Sequence, residues 1–242
     1  MSERWLSGRV IENRHWTQTL FSLRVSGPQV RYEAGQFVRI ALDIDGQRVA
    51  RAFSFVNPPH DPVLEFYGVI VPEGPLSPRL AKLNAGDALY VAPNPAGFLV
   101  LAEVPDAETL WLVATGTGLA PFLSILRTET PWRRFRNVVL VHAVRYAHEL
   151  AYKEVISATP ARYVTFVSRE PARGSLTGRI PAAIADGRLA QAAGLPLTPQ
   201  SSHVMLCGNP QMLRDATAAL AARGMRKHRR RAPGHITVES FW

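Results

Sequence analysis

The chain has 242 residues, 47% of them hydrophobic, with no long uncharged apolar run, so it reads as a globular chain long enough for two domains rather than a membrane-spanning or disordered one. Its formal charge of +9 at pH 7 sets up a field that draws nucleic acid, anionic lipid or an acidic protein. Cys207 is the single cysteine, which excludes an internal disulfide framework and a cysteine-held metal or iron–sulfur cluster.

Met1-Ser2-Glu3-Arg4-Trp5 leads straight into patterned sequence with no apolar core of signal-peptide length, so a cytoplasmic setting is expected. Up to Leu101 the chain reads as a small antiparallel barrel. Val10-Ile11, Leu20 to Val25, Phe37 to Leu42, Val49 to Val56 and Val63 to Val71 are stretches of strand formers divided by turn residues such as Gly27-Pro28. Asp45-Gly46 between two of them predicts a tight hairpin. Ser77-Pro78 reads as an N-cap and a first-turn proline, opening a short helix whose early amides face an anion. From Ala102 to Glu108, acids and a proline without apolar periodicity read as a linker, giving domains at 1–101 and 109–242 with 102–108 between them.

Beyond the linker, Leu110 to Ala114, Val138 to Ala143, Tyr163 to Val167 and Val204 to Cys207 are apolar runs of the kind expected for parallel strands covered on both faces. Helices are expected over Pro121 to Leu126, Glu149 to Ser157 and Pro210 to Ala222, the last closing before Gly224. This half predicts a doubly wound α/β domain with a parallel sheet. Arg226-Lys227-His228-Arg229-Arg230-Arg231 is the densest basic block, with a solvated face and a docking role equally open.

Two strings carry the chemistry. Arg51-Ala52-Phe53-Ser54 lies in a strand of the first half, where alternation puts Arg51 and Phe53 on one face and Ser54 on the other unless the strand bends at its end. Thr115-Gly116-Thr117-Gly118-Leu119-Ala120-Pro121 joins a strand to a helix, and Gly116 and Gly118 let backbone approach a nucleotide. Arg145, Arg169 and Arg179 fall beyond apolar strands or in loops, where α/β sheets bind cofactors, and each also suits a solvated surface. Cys207-Gly208-Asn209-Pro210 ends a strand and starts a helix, with Cys207 also readable as a small buried hydrophobe. Phe241-Trp242 would leave two large rings in water unless they pack on something.

With these strings, and with Pro75-Leu76-Ser77, Val141 to Arg145, Val167 to Glu170, Gly174 to Pro181 and Cys207 to Met212, the whole chain resembles the bacterial ferredoxin (flavodoxin)–NADP reductases. The resemblance implies an FAD-binding barrel followed by an NADP-binding domain. It implies that Arg51 meets the FAD pyrophosphate, Phe53 stacks on the isoalloxazine where the family usually has Tyr, and Ser54 bonds near flavin N5. Ala52, Tyr67, Pro75, Leu76, Ser77 and Thr117 complete that seat, with Phe241 covering the ring and Trp242 stacking on adenine. For NADP it implies Gly116, Gly118, Val144, Arg145, Ser168, Arg169, Arg179, Asn209, Pro210, Gln211 and Asp215. Arg169 and Arg179 suit a ribose phosphate, which favours NADPH over NADH. Ser54, Cys207 and Glu239 would surround the hydride path.

The reaction so implied exchanges hydride between NADPH and FAD and single electrons with ferredoxin or flavodoxin, acidic carriers that suit a basic surface. The family also suggests a monomer, with neither nucleic acid nor membrane as partner. A reductase feeding an oxygenase, or acting on free flavin, would use the same cofactors. A basic nucleic-acid-binding protein is the reading from another class, and the sequence carries no recognition motif for it.

Overall fold

A computed structural model describes residues 4–240 of the chain, so the expected ring-covering residues Phe241 and Trp242 lie outside the described residues. The first half forms β1 (Leu6–His15), β2 (Leu20–Ser26), β3 (Phe37–Ile44), β4 (Gln47–Ser54), β5 (Leu64–Val69), the short helix α1 (Ser77–Leu80) and β6 (Ala88–Val91). These six strands make an antiparallel sheet in the order β4-β3-β6-β1-β2-β5. Its inner face packs Val10, Leu23, Val38, Ile40, Phe66 and Leu89 into one core. The β3–β4 hairpin turns on Asp45 (φ 50°) and Gly46 (φ 77°), the paired left-handed geometry that an Asp-Gly turn favours. The sheet curls until its edge strands meet at one bridge, Phe55 to Phe66.

The second half forms β7 (Thr109–Thr115), α2 (Ala120–Leu126), α3 (Thr130–Arg134), β8 (Asn137–Val144), α4 (Lys153–Ser157), β9 (Arg162–Val167), β10 (Leu176–Thr177), α5 (Ile180–Ala185), α6 (Arg188–Ala193), β11 (Ser202–Gly208), α7 (Pro210–Ala222) and β12 (Ile236–Ser240). The six strands are parallel, in the order β10-β9-β8-β7-β11-β12. Winding runs outward from β7 through β10 and then returns to place β11 on the other side of β7. The switch point between β7 and β11 is where open α/β sheets present their ligand crevice. An antiparallel barrel followed by a parallel α/β sheet is the expected architecture.

Several elements differ from expectation. β6, β10, β12, α3, α5 and α6 have no counterpart among the expected elements. The expected helix over Glu149 to Ser157 is broken into a 3-10 turn at Ala147–Glu149 and α4. Glu149 spends its carboxylate on the amides of Arg145 (2.8 Å) and Tyr146 (3.0 Å), and Tyr152 takes a left-handed backbone, φ 60°. Ser77 does not cap α1: Leu76 holds the cap position, and the Ser77 hydroxyl accepts from the Val71 amide at 2.9 Å.

One apolar core joins the two sheets. Leu20, Val56 and Tyr67 from the barrel pack with Phe122, Leu123 and Tyr152 from the second half, and Leu101 and Val104 lie in the same cluster. Polar bonds fix the same contact. Ser124 Oγ donates to the Asn57 carbonyl at 2.7 Å, and Tyr152 OH donates to Glu65 Oε1 at 2.8 Å. Burial raises the Glu65 carboxyl above its ordinary range. Phe122 is fully buried in this shared core, so Phe122→Ala should destabilise the protein by about 3–5 kcal/mol. Urea unfolding followed by far-ultraviolet circular dichroism measures it, and a loss below about 1 kcal/mol would deny the core its joining role.

Candidate functional site

Past the Phe55–Phe66 bridge, β4 and β5 do not pair, and a cavity of about 530 Å³ opens along the seam. That size suits a cofactor-class ligand. Arg51, Ala52, Phe53 and Ser54 line it from β4, and Tyr67, Gly68 and Val69 from β5. Val71, Gly74, Pro75, Leu76 and Ser77 form its far wall, while Thr117 and Ala120 close it from the turn after β7 and the first residue of α2. Nine residues expected to seat a flavin thus share one cavity. All four residues of the Arg51 string reach it because β4 is an edge strand that ends there, so both of its faces and its edge border the space. Gly68 is required across the seam, since a Cβ there would lie 2.8 Å from the Phe21 ring and 3.1 Å from the Phe53 ring.

Two residues of the cavity lining carry unsatisfied polar atoms. Ser54 Oγ and Tyr67 OH are buried and have no hydrogen-bond partner among the described residues. Leaving such a group unpaired costs about 1–3 kcal/mol. Both belong to residues that line the cavity, where a small side-chain rotation would let a polar ligand edge satisfy them. The Arg51 guanidinium, exposed, bonds its neighbour's carbonyl, Ala50 O, at 2.7 Å.

At the switch point, strand ends press together through glycine. A Cβ on Gly118 would lie 2.6 Å from the Cys207 carbonyl oxygen, and one on Gly208 (φ 134°) would lie 2.2 Å from Thr115 Oγ1. Asn209 donates its amide to Thr115 Oγ1 at 2.9 Å and caps α7 by accepting from the amides of Gln211 and Met212. Gln211 Nε2 donates in turn to Asp215 Oδ1 at 2.7 Å, and Pro210 opens the helix.

His142 supports this turn from below, a role the sequence reading did not assign. Its ring is fully buried, with Nε2 3.1 Å from the Gly116 carbonyl and Nδ1 3.3 Å from Tyr163 OH. Neutral imidazole satisfies both by donating from Nε2 and accepting at Nδ1, and burial pushes its pKa down to about 4.

Cys207 and Glu239 are register partners on β11 and β12. Burial first, then the Glu239 charge, push the thiol well up, so Cys207 stays protonated. Burial likewise pushes the Glu239 carboxyl up to about 7, opposed by amides from Phe98 and Leu99. Ser54 pairs with Phe37 on β3, and the Phe37 ring and the Glu239 carboxylate both border Gly97. Arg145, Ser168, Arg169 and Arg179 are exposed just past the ends of β8 and β9 and ahead of α5. Val144 is buried and its carbonyl accepts from Ser168 Oγ at 3.2 Å, while the Arg169 guanidinium stands 5.8 Å over the Tyr146 ring. Among the described residues the guanidinium groups of Arg145 and Arg179 have no ion-pair partner. The missed cavity residues Val69 and Val71 follow Tyr67 at period two, the pattern that could have found them.

An antiparallel barrel, open along one seam, shares its cavity with the switch-point turn of a parallel sheet, the architecture of two-domain nucleotide-binding proteins. A family model described as "Oxidoreductase NAD-binding domain" matches residues 112–218. A flavodoxin/ferredoxin–NADP reductase of Shigella flexneri is 54% identical over 98% of this chain and 99% of its own length. One from Escherichia coli is 53% identical over the same shares. A crystal structure of a ferredoxin NADP+ reductase from Neisseria gonorrhoeae, with bound FAD and NADP, superposes with a TM-score of 0.96 at 32% identity, covering all of both chains. The chain belongs to the flavodoxin/ferredoxin–NADP reductase family.

Because His142 titrates near 4 when folded and near its ordinary 6.5 when unfolded, it contributes stability that is full above 6.5 and lost as pH falls toward 4. In that window the unfolded chain holds a proton the native state refuses. His142→Gln should flatten this part of the acid slope in urea unfolding measured against pH, and an unchanged slope would contradict the assignment.

Proposed function

We propose that the protein binds FAD in the seam cavity and NADP(H) against the ends of β7 and β11, moving hydride between them and single electrons to ferredoxin or flavodoxin. The observation that carries this reading is a cavity walled by both halves of the chain, whose lining includes Ser54 and Tyr67, each with a partnerless hydroxyl. FAD supplies the exchange between the paired electrons of nicotinamide and the single electrons of the carrier.

The chain's own residues hold and orient. Arg51 offers its fork of donors to the pyrophosphate, and Phe53 lays its ring against the isoalloxazine. Ser54 and Tyr67 turn their free hydroxyls to the flavin, Ala52 and Thr117 bound it, and Pro75, Leu76 and Ser77 form the wall beyond. Gly116 and Gly118 leave room for the nicotinamide half, with Val144, Ser168, Asn209, Pro210, Gln211 and Asp215 along the adenosine side. Arg145, Arg169 and Arg179, free at the sheet's edge, receive the phosphates. Cys207, held as a thiol, and Glu239 bound the reacting centre and act by position and electrostatics. Residues 1–101 then serve FAD and 109–242 serve NADP(H). No helix among the described residues is long and apolar enough to cross a membrane, and the reading extends to a cytoplasmic monomer whose +9 charge steers acidic carriers.

Anaerobic titration of the purified protein, followed by its visible spectrum, tests the assignment. Flavin bands should bleach far more readily with NADPH than with NADH; a colourless protein or equal response would overturn it. Assays with ferredoxin, flavodoxin and free flavin separate a carrier reductase from a flavin reductase. Arg179→Gln or Arg169→Gln should weaken NADPH binding about ten- to a hundredfold, the worth of one charge-assisted hydrogen bond, and leave NADH binding unchanged.

A further inference from the structure

Glu239 sits in the second sheet, yet its carboxylate is held from the barrel half. Oε2 accepts from the Phe98 amide at 3.1 Å, and Oε1 is buried with no partner among the described residues. Gly97 makes this approach possible. Its φ is 114°, and a Cβ there would lie 2.8 Å from Glu239 Oε2 and 3.1 Å from the Phe37 ring. Two main-chain bonds of 2.9 Å, Phe37 N to Ala96 O and Ala96 N to Phe37 O, tie the turn to β3 directly opposite Ser54.

The outer side of the turn is also secured. The Phe98 ring is 61% exposed, and the Arg230 guanidinium stands 4.8 Å over it. The same guanidinium forks onto Glu103, with Nε at 2.9 and 3.0 Å from the two carboxylate oxygens and Nη2 at 2.6 Å from one. One arginine of the densest basic block is therefore paired on the surface with Glu103 and Phe98.

We propose that the Gly97-Phe98-Leu99 turn is a positioning device that fixes the Glu239 carboxylate with one oxygen bonded and one free, and that Arg230 locks the turn from outside. This rests on the placement of Glu239 at the reacting centre. A carboxylate held through one oxygen by a main-chain amide and packed against the Gly97 turn cannot rotate freely, so its free oxygen faces a defined point in the site. Positions fixed in this way matter steeply, because a misplacement of about 1 Å can cost up to about a hundredfold in rate. Cys207 is the titratable group that faces Glu239 from β11, and Arg230 and Glu103 stand beyond the turn on the barrel side.

The test compares Gly97→Ala, Arg230→Gln and Glu239→Gln with the wild type, each first checked for FAD content and visible spectrum. Flavin reduction by NADPH is followed by stopped flow across the pH range around 7, the value to which burial brings Glu239. The carboxyl itself is titrated without turnover by carbon-13 NMR of glutamate-labelled protein, its signal assigned by Glu239→Gln. The amides lower the Glu239 pKa, so loosening them should move its titration to higher pH. Gly97→Ala should show that shift with a rate loss of up to about a hundredfold, and Arg230→Gln should shift in the same direction by less. Arg230 is exposed, so its variant keeps the test open if Gly97→Ala fails to fold. Profiles and NMR titrations of both variants that overlay the wild type, while Glu239→Gln loses the inflection, would overturn the proposal. An inflection that survives Glu239→Gln would overturn the placement of Glu239 itself, and the proposal with it.

Discussion

Edge strands carry unpaired main-chain donors and acceptors, and a barrel ordinarily removes them by pairing its first and last strands. Here β4 and β5 meet at Phe55 and Phe66 and then part. Continued in register, that bridge would place Ser54 opposite Tyr67 and Phe53 opposite Gly68. Those residues instead face one another across the cavity, and the two hydroxyls among them lack partners. The open seam is thus the feature on which the site depends, because it exposes side chains and edge to a ligand while the rest of the barrel stays packed. Closing the ladder would satisfy the strands and abolish the cavity.

The seam alone is only half a site, and glycines deliver the other half. Without side chains at Gly118 and Gly208, the ends of β7 and β11 approach closely enough to bring Thr117 and Ala120 to the cavity wall. His142 braces the turn through the Gly116 carbonyl, and the shared core around Phe122 and Tyr152 keeps barrel and parallel sheet from shifting. Interiors packed at crystal-like density resist small displacements. The two walls of the cavity therefore hold their distance through ordinary burial.

Where a local pattern had one physical meaning, the sequence was legible. Asp45-Gly46 fixes a hairpin because both residues tolerate left-handed backbone, and the apolar runs of β7, β8, β9 and β11 are continuous because both faces of that sheet are covered. The Arg51 string and Tyr67 could be placed together by family resemblance, yet their common cavity comes from an unpaired seam that no local pattern encodes. The failures share a cause, since each involves a side chain claimed by a distant or competing partner. Ser77 gives its hydroxyl to Val71 instead of to its helix, and Glu149 bonds two amides before it and so breaks the helix it was expected to start. β12 buries only its first two residues, Ile236 and Thr237, and carries Thr237, Glu239 and Ser240 among its five, so it lacks the apolar run of its neighbours. Its place in the sheet is set by pairing with β11.

Charge is distributed so that binding and reaction occupy different electrostatic settings. The arginines offered to phosphate, Arg145, Arg169 and Arg179, stand exposed in water, where a guanidinium keeps its charge at little cost. Cys207 and Glu239 sit where burial penalises ionisation, holding the thiol protonated and the carboxyl near its own midpoint at neutral pH. A thiol so raised is a poor nucleophile, which argues against covalent chemistry at Cys207 and for a role as a small neutral wall. A fixed charge at the reacting centre would favour one charge state of a nicotinamide over the other. On the proposed reading, a carboxyl that loses its charge on taking up a proton holds that bias near balance at neutral pH. On the same reading, strong binding falls to phosphates meeting the exposed arginines beyond the strand ends, and the buried pair is left to the reacting centre.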